Sequence, residues 1–256
     1  MSVEHIKKIL NEFVEFPYSN WTSFLPESHS DTILQVGGDC IEINSRLQKV
    51  LEEHGYHTTM LVQQHENKFR RHHILVVTLP GENLPFYVDA VLGVSDPIEI
   101  SNHHSIYSSF PRLEESQASL RLIPQSDSSF LVRYEFDLSQ KDYLFDIEDS
   151  EEIFSKAKRN ETFNKSRFYH TLLIDRETGV EYKLNFQKKR GLISIQVNRG
   201  GFIYRNTNTE EFERLFKEAK KTYNKIFQVN REFLHLRTDF DFTIDNLEKY
   251  FKLARG

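Results

Sequence analysis

The spacing of apolar positions changes several times along the chain, and the changes outline its elements. In "VEHIKKILNEFVEF" the residues Ile6, Leu10, Phe13 and Val14 recur at helical spacing and Pro17 follows as a stop, which predicts an N-terminal helix. From Cys40 the stripe Ile43, Leu47, Val50 and Leu51 predicts a second helix, with Gly55 just past its last apolar residue. Beyond Gly55 the pattern becomes that of strands: "HTTMLVQQ", "HHILVVTL", "PFYVDAVLG" and "FLVRYEFDL" are short β-branched or aromatic runs bounded by Gly, Pro, Asn and Ser. Residues near 148 to 160 return to helical spacing, and "RFYHTLLIDRETGVEYKLNF" reads as two strands around a Thr-Gly turn. The segment "NTEEFERLFKEAKKTYNKIFQV" predicts a long helix, with Asn208 and Glu211 spaced as a capping box and Phe212, Leu215, Phe216 and Ala219 along one face.

Composition narrows the class. A chain of 256 residues with 38% hydrophobic and 28% charged residues can bury a sizeable core, as one large domain or two to three small ones. Its net charge of −5 argues against a general nucleic-acid binder. The start "MSVEHIKKIL" lacks the apolar run of a signal peptide, and stretches such as "HILVVTL" are far too short to cross a bilayer, so a soluble protein without a membrane partner is expected. A single cysteine makes neither an intrachain disulfide nor a cysteine-based zinc site, which fits a reducing cytoplasm. His65, His72, His73, His103 and His104 lack a ligand spacing such as HExxH, so no metal is expected.

That cysteine lies in "QVGGDCIEIN". Gly37 and Gly38 permit a tight turn, and Asp39 with Glu42 has capping-box spacing, which puts Cys40 in the first turn of a helix. Backbone N–H groups and the helix dipole favour a thiolate there, while the Asp39 charge opposes it. A base is still required. In "RRHHILVVTLPG" the doublet His72 and His73 opens a strand, where alternation sends the two rings to opposite faces. In "FYVDAVLG" Asp89 interrupts an apolar run, a costly place for a carboxylate unless something pairs with it. Cysteine, histidine and aspartate in these settings form the nucleophile, base and orienting group of acyl transfer. Singly, each has an ordinary structural reading: a small buried hydrophobe, a surface doublet, a turn residue.

Together these segments resemble the arylamine N-acetyltransferase family. In that family a segment of the form RGGFCFExN opens the nucleophile's helix and a glycine-aromatic pair closes it. Here "GGDCIEINSRLQKVLEEHGYHTTML" keeps the Gly-Gly, Cys40, Glu42, Asn44 and the Gly55-Tyr56 exit without a gap. The family's second motif is a strand beginning with the catalytic His, a Gly-containing turn, and a strand ending VDxGFG with the catalytic Asp. "HHILVVTLPGENLPFYVDAVLG" is similar to it with a somewhat longer turn; aligning "VVTLPG" makes His72 the base, on register alone, and "VDAVLG" makes Asp89 the third member. "NKSRFYHTLLIDRETGVEYKLNF" is similar to the family's third-domain hairpin, and "VEFPYSNWT" is a faint echo of its IPFENL segment. A second "RGGF", Arg199 to Phe202, runs into Ile203 and has no nucleophile. The departures are Val36 for the arginine, Asp39 for the aromatic residue before the nucleophile, and Val91-Leu92 for Gly-Phe.

The resemblance implies an α+β fold with a cysteine-proteinase-like core: a helical N-terminal domain at 1–57, a central β-barrel at 58–147 and a C-terminal α/β lid at 148–256. It implies ping-pong acetyl transfer from acetyl-CoA, through an acetyl-cysteine at Cys40, to an aromatic amine or hydrazine, with His72 as base, Asp89 as its orienting group and backbone N–H groups near Cys40 as the oxyanion hole. Phe69, Phe86, Tyr107 and Phe110 are candidates to line an aromatic acceptor pocket. Two other readings compete. A Cys-His-Asp amide hydrolase or transglutaminase-like enzyme shares the residue order but is disfavoured by the Cys-x-Glu-x-Asn helix with "VDAVLG". A degenerate family member acting as a binding or accessory protein is suggested by Val36, Asp39 and Leu92.

Overall fold

A computed structural model describes residues 1–14, 16–19, 38–63, 72–82, 84–92, 94, 96–100, 107–109, 119–126, 128–136, 139–147, 168–175, 177–178, 180–187, 190–197, 203–207, 209–230 and 243–253. The chain divides into two compact units, residues 1–14 with 40–155 and residues 15–39 with 156–256.

The first unit opens with helix α1 (Val3–Val14), which buries Ile6, Ile9, Leu10, Phe13 and Val14. Ser2 caps it: its hydroxyl accepts the His5 N–H at 3.3 Å and its carbonyl the Ile6 N–H at 3.2 Å. Helix α2 (Cys40–Glu53) starts at the cysteine and buries Ile43, Asn44, Leu47 and Leu51, with Val50 at the edge of the stripe. Its end is a Schellman motif, in which the Tyr56 N–H reaches the Leu51 carbonyl at 3.1 Å and the Gly55 N–H the Glu52 carbonyl at 2.8 Å. Gly55 adopts φ +82°, the left-handed conformation that the motif needs. Tyr56 then ties the two helices together, its hydroxyl donating to the Ser2 carbonyl at 3.2 Å and lying 2.9 Å from His5 Nδ1.

The strands of this unit form two antiparallel sheets of four. One runs in the order β2 (His57–Val62), β3 (His73–Thr78), β4 (Pro85–Val88), β5 (Ile98–Glu99), and the other β6 (Tyr107–Ser109), β7 (Ser119–Pro124), β8 (Ser129–Phe136), β9 (Ser139–Asp146). Leu61, Ile74, Val76, Tyr87 and Ile98 from the first sheet, with Val94 from between β4 and β5, share a core with Leu120, Leu122, Phe130, Val132 and Phe145 from the second. The remaining alternate positions of β3, His73, Leu75 and Val77, are buried on the opposite face, toward α2. This double burial explains why β3 is written as an uninterrupted apolar run.

In the second unit one antiparallel sheet has the order β1 (Tyr18–Ser19), β10 (Phe168–Asp175), β11 (Val180–Gln187), β12 (Leu192–Val197), β13 (Ile203–Tyr204). The predicted turn between β10 and β11 is held by Asp175, whose Oδ1 accepts the N–H groups of Glu177 and Thr178 at 3.0 and 3.3 Å. Helix α3 (Thr209–Asn230) lays Phe212, Leu215, Phe216, Ala219 and Tyr223 on the sheet face formed by Leu173, Tyr182, Leu184, Phe186, Ile193 and Ile195, and α4 (Ile244–Leu253) adds Leu247. The four predicted face residues of α3 are all in this core. Strands β1, β5, β6, β7, β9, β12 and β13 and helix α4 are additions to the sequence-based expectation. The helix expected near 148 to 160 and the cap Asn208 lie outside the described residues.

Gly55→Ala should destabilise the protein by about 1–2 kcal/mol, since a Cβ at this φ is strained and would sit 3.0 Å from Met1 Cε. A lower denaturant midpoint at unchanged m-value is the expected result.

Candidate active site

The approach to Cys40 is held by main-chain bonds. The Gly38 N–H donates to the Pro17 carbonyl at 3.1 Å and the Gly38 carbonyl accepts the Ser19 N–H at 2.8 Å, a parallel bridge from β1. Asp39 is fully buried at the N-cap position, and Cys40 is the first residue of α2, its side chain partly exposed. A thiol here faces the positive end of the helix dipole, as its spacing predicts.

One helical turn on, the buried Asn44 donates from Nδ2 to the His73 carbonyl at 2.6 Å. This bond pins the start of α2 to the start of β3. The His73 ring, on the α2-facing side of the strand, places Nδ1 3.7 Å from Cys40 Sγ.

His72 precedes β3 by one residue and turns to the other face. Its backbone is clamped by Gln63, whose N–H donates to the His72 carbonyl at 2.8 Å and whose Oε1 accepts the His72 N–H at 3.1 Å. Its Nε2 lies 2.5 Å from Oδ2 of the fully buried Asp89. The pairing register accounts for this. Leu75 lies opposite Val88, so positions 72, 74 and 76 share a face with Tyr87 and Asp89.

Asp89 has further donors. The Tyr87 hydroxyl reaches Oδ2 at 2.9 Å, and the N–H groups of Val91 and Leu92 reach Oδ1 at 2.9 and 3.2 Å. Tyr143 of β9 sets its ring 5.4 Å from that of His72. Burial first, and then the charges of Asp89, Tyr134 and Cys40, push the Tyr143 phenol up to about 12. The Tyr87 phenol is also pushed up, by burial and then by Asp89.

The sequence singled out Cys40, His72 and Asp89. The structure joins His72 to Asp89 and sets His73 against the thiol, so the doublet's two rings serve the two ends of the site separately. Tyr87, Gln63 and Tyr143 were not anticipated. Tyr87 could have been found by period 2, since it stands two residues before Asp89 on one strand. Of the aromatic acceptor candidates, Phe86 is buried beside Val77, Tyr107 is described in its backbone, and Phe69 and Phe110 lie outside the described residues. Among the described residues no cluster of His, Cys, Asp and Glu could hold a metal ion, and no helix is long and apolar enough to cross a membrane.

A family model described as N-acetyltransferase matches residues 23–232. The chain belongs to the arylamine N-acetyltransferase family. It is therefore an acyltransferase of the N-acetyltransferase type. Solved structures of similar fold include the arylamine N-acetyltransferase of Nocardia farcinica (12% identity, 100% of this chain and 87% of that one, TM-score 0.57). That of Mycobacterium abscessus is 15% identical over 100% and 89% of the chains, with a TM-score of 0.56. That of Salmonella typhimurium is 15% identical over 98% and 92%, with a TM-score of 0.54. At such identities the likeness is one of fold. No curated protein sequence gives a significant match.

The raised phenol of Tyr143 gives a pH dependence with a definite sign. The folded protein keeps this proton up to about 12, whereas the unfolded chain loses it near 10.0, as an ordinary phenol does. Unfolding therefore releases a proton between these values, and this stability contribution is full below pH 10 and lost as pH rises toward 12. Tyr143→Phe should flatten that part of the stability profile, and ultraviolet titration should show one fewer late-ionising phenol.

Proposed function

We propose that the protein is an acetyl-CoA-dependent N-acetyltransferase that acts on arylamines or arylhydrazines by a ping-pong mechanism, with Cys40, His72 and Asp89 as its catalytic groups. The observation that carries this is a thiol on the first residue of a helix, in contact with an imidazole, beside a second imidazole bonded to a buried carboxylate. His72, the imidazole paired with Asp89, acts as the base for the Cys40 proton and Asp89 stabilises the resulting imidazolium, while the imidazole in contact with the sulfur is that of His73. The thiolate attacks the thioester of acetyl-CoA, CoA leaves with the proton, and acetyl-Cys40 remains. The amine then enters, His72 accepts its proton as nitrogen attacks, and the thiolate is restored. Main-chain N–H groups at the start of α2 hold the oxyanion.

Of the two histidines, His72 is assigned as base because it alone of the pair has its ring bonded to Asp89, the partner an imidazolium requires. On this reading residues 1–57 form the nucleophile domain, 58–147 the barrel domain built from the two four-stranded sheets, and 148–256 the lid, in a cytoplasmic enzyme that needs no metal. The amide hydrolase reading has no observation of its own in its favour. Catalytic degeneracy is countered by the contact of Cys40 with an imidazole and by the His72–Asp89 pair, both of which are kept despite the change to Asp39.

Brief incubation with acetyl-CoA followed by intact-protein mass spectrometry should show one acetyl adduct on the wild type and none on a folded Cys40→Ala, with the adduct discharged by an arylhydrazine. Absence of an adduct on the wild type would remove the acetyltransferase reading. In steady-state assays, His72→Ala and Asp89→Asn should each lower kcat/KM by about 10³-fold or more, and His73→Ala by far less; the reverse ranking of the histidines would reassign the base.

A further inference from the structure

The His73 ring is buried, touches the sulfur, and is used by no step of the mechanism above. Its backbone is fixed from both sides, by pairing with Val62 across β2 and by the Asn44 amide on its carbonyl. With its peptide unit fixed and the residue only 3% exposed, the ring is confined against the start of α2. We propose that His73 is a second catalytic imidazole, which donates its Nδ1–H to the Cys40 thiolate and holds the nucleophile while His72 alone moves protons. This rests on Cys40 being the nucleophile.

The proton accounting is simple. The thiol proton resides on His72, against Asp89, and His73 keeps its own throughout. When the thiolate attacks, its electron pair becomes the S–C bond, CoA departs and takes the His72 proton, and the His73 N–H loses its anionic acceptor. It regains one when the amine releases the thiolate. A hydrogen bond to a charged acceptor of this kind changes an equilibrium by roughly ten- to a hundredfold. The groups that face the thiol are His73 from β3, in contact with the sulfur, and Tyr143 from β9, with Asp39 and Glu42 at the start of its own helix. Tyr143 is uncharged over the working range.

The test is the rate of Cys40 alkylation by iodoacetamide against pH, read by mass spectrometry on wild type, His73→Leu and His73→Asn, each checked for folding by circular dichroism and denaturant midpoint. Asparagine can place an amide N–H near the Nδ1 position but cannot take up a proton. The expected result is that His73→Leu moves the thiol's inflection up by about one pH unit or more, a loss of about tenfold in rate below it, and that His73→Asn restores most of the loss. An inflection unmoved in a folded His73→Leu would overturn the proposal while leaving the acetyltransferase reading intact. Failure of Asn to rescue, with acetyl transfer abolished in both variants, would make His73 the base instead. A wild-type thiol as slow as an ordinary cysteine would overturn the nucleophile and this proposal together.

Discussion

A carboxylate at the centre of the first unit is fully buried, and much of the site's arrangement can be read as what its burial requires. An ionised Asp89 out of contact with water is tolerable only if its oxygens are met by donors, and four meet them: Tyr87 and His72 on one oxygen, the Val91 and Leu92 amides on the other. Three come from within three residues of the aspartate, so the end of β4 and the turn after it form a local cradle. The fourth is His72, brought from the beginning of β3. The carboxylate thereby fixes a distant imidazole, and the β3–β4 register that permits this also commits the neighbouring histidine to the opposite face.

The opposite face belongs to α2, where Asn44 gives the fixed strand a handle on the helix. Its amide reaches the His73 carbonyl from one turn below the cysteine, so the thiol's position along the helix axis is set relative to the same strand. The glycine-rich approach is held independently, by the bridge between Gly38 and β1. Asp39, whose charge opposes a thiolate when read from sequence, is fully buried immediately before the first residue of α2.

Much of this was legible in the residues. Helix α2 and the stripe of α3 announced themselves by an apolar pattern of helical period, and strands β3 and β4 by β-branched and aromatic runs bounded by Gly or Pro. Strand β9, "SQKDYLFD", did not: it lies at the edge of its sheet with Gln140, Lys141 and Asp142 exposed, so its inward pattern is reduced to Tyr143 and Phe145. Tyr143 was missed with it. The doublet was read correctly as diverging, but period 2 says only that two rings part, and not which face holds the sulfur. That depends on where α2 packs, a long-range fact that spacing within either element does not contain.

Strand ends ordinarily fray, their last amides exchanging partners with water on fast timescales. At the mouth of the β2–β3 ladder Gln63 closes the end, spending both its main chain and its side chain on the peptide units that carry His72. The entropy of aligning that imidazole is thus lost once, when the sheet forms, and does not recur as a search in each turnover. A glutamine with no chemistry of its own is in this sense part of the rate.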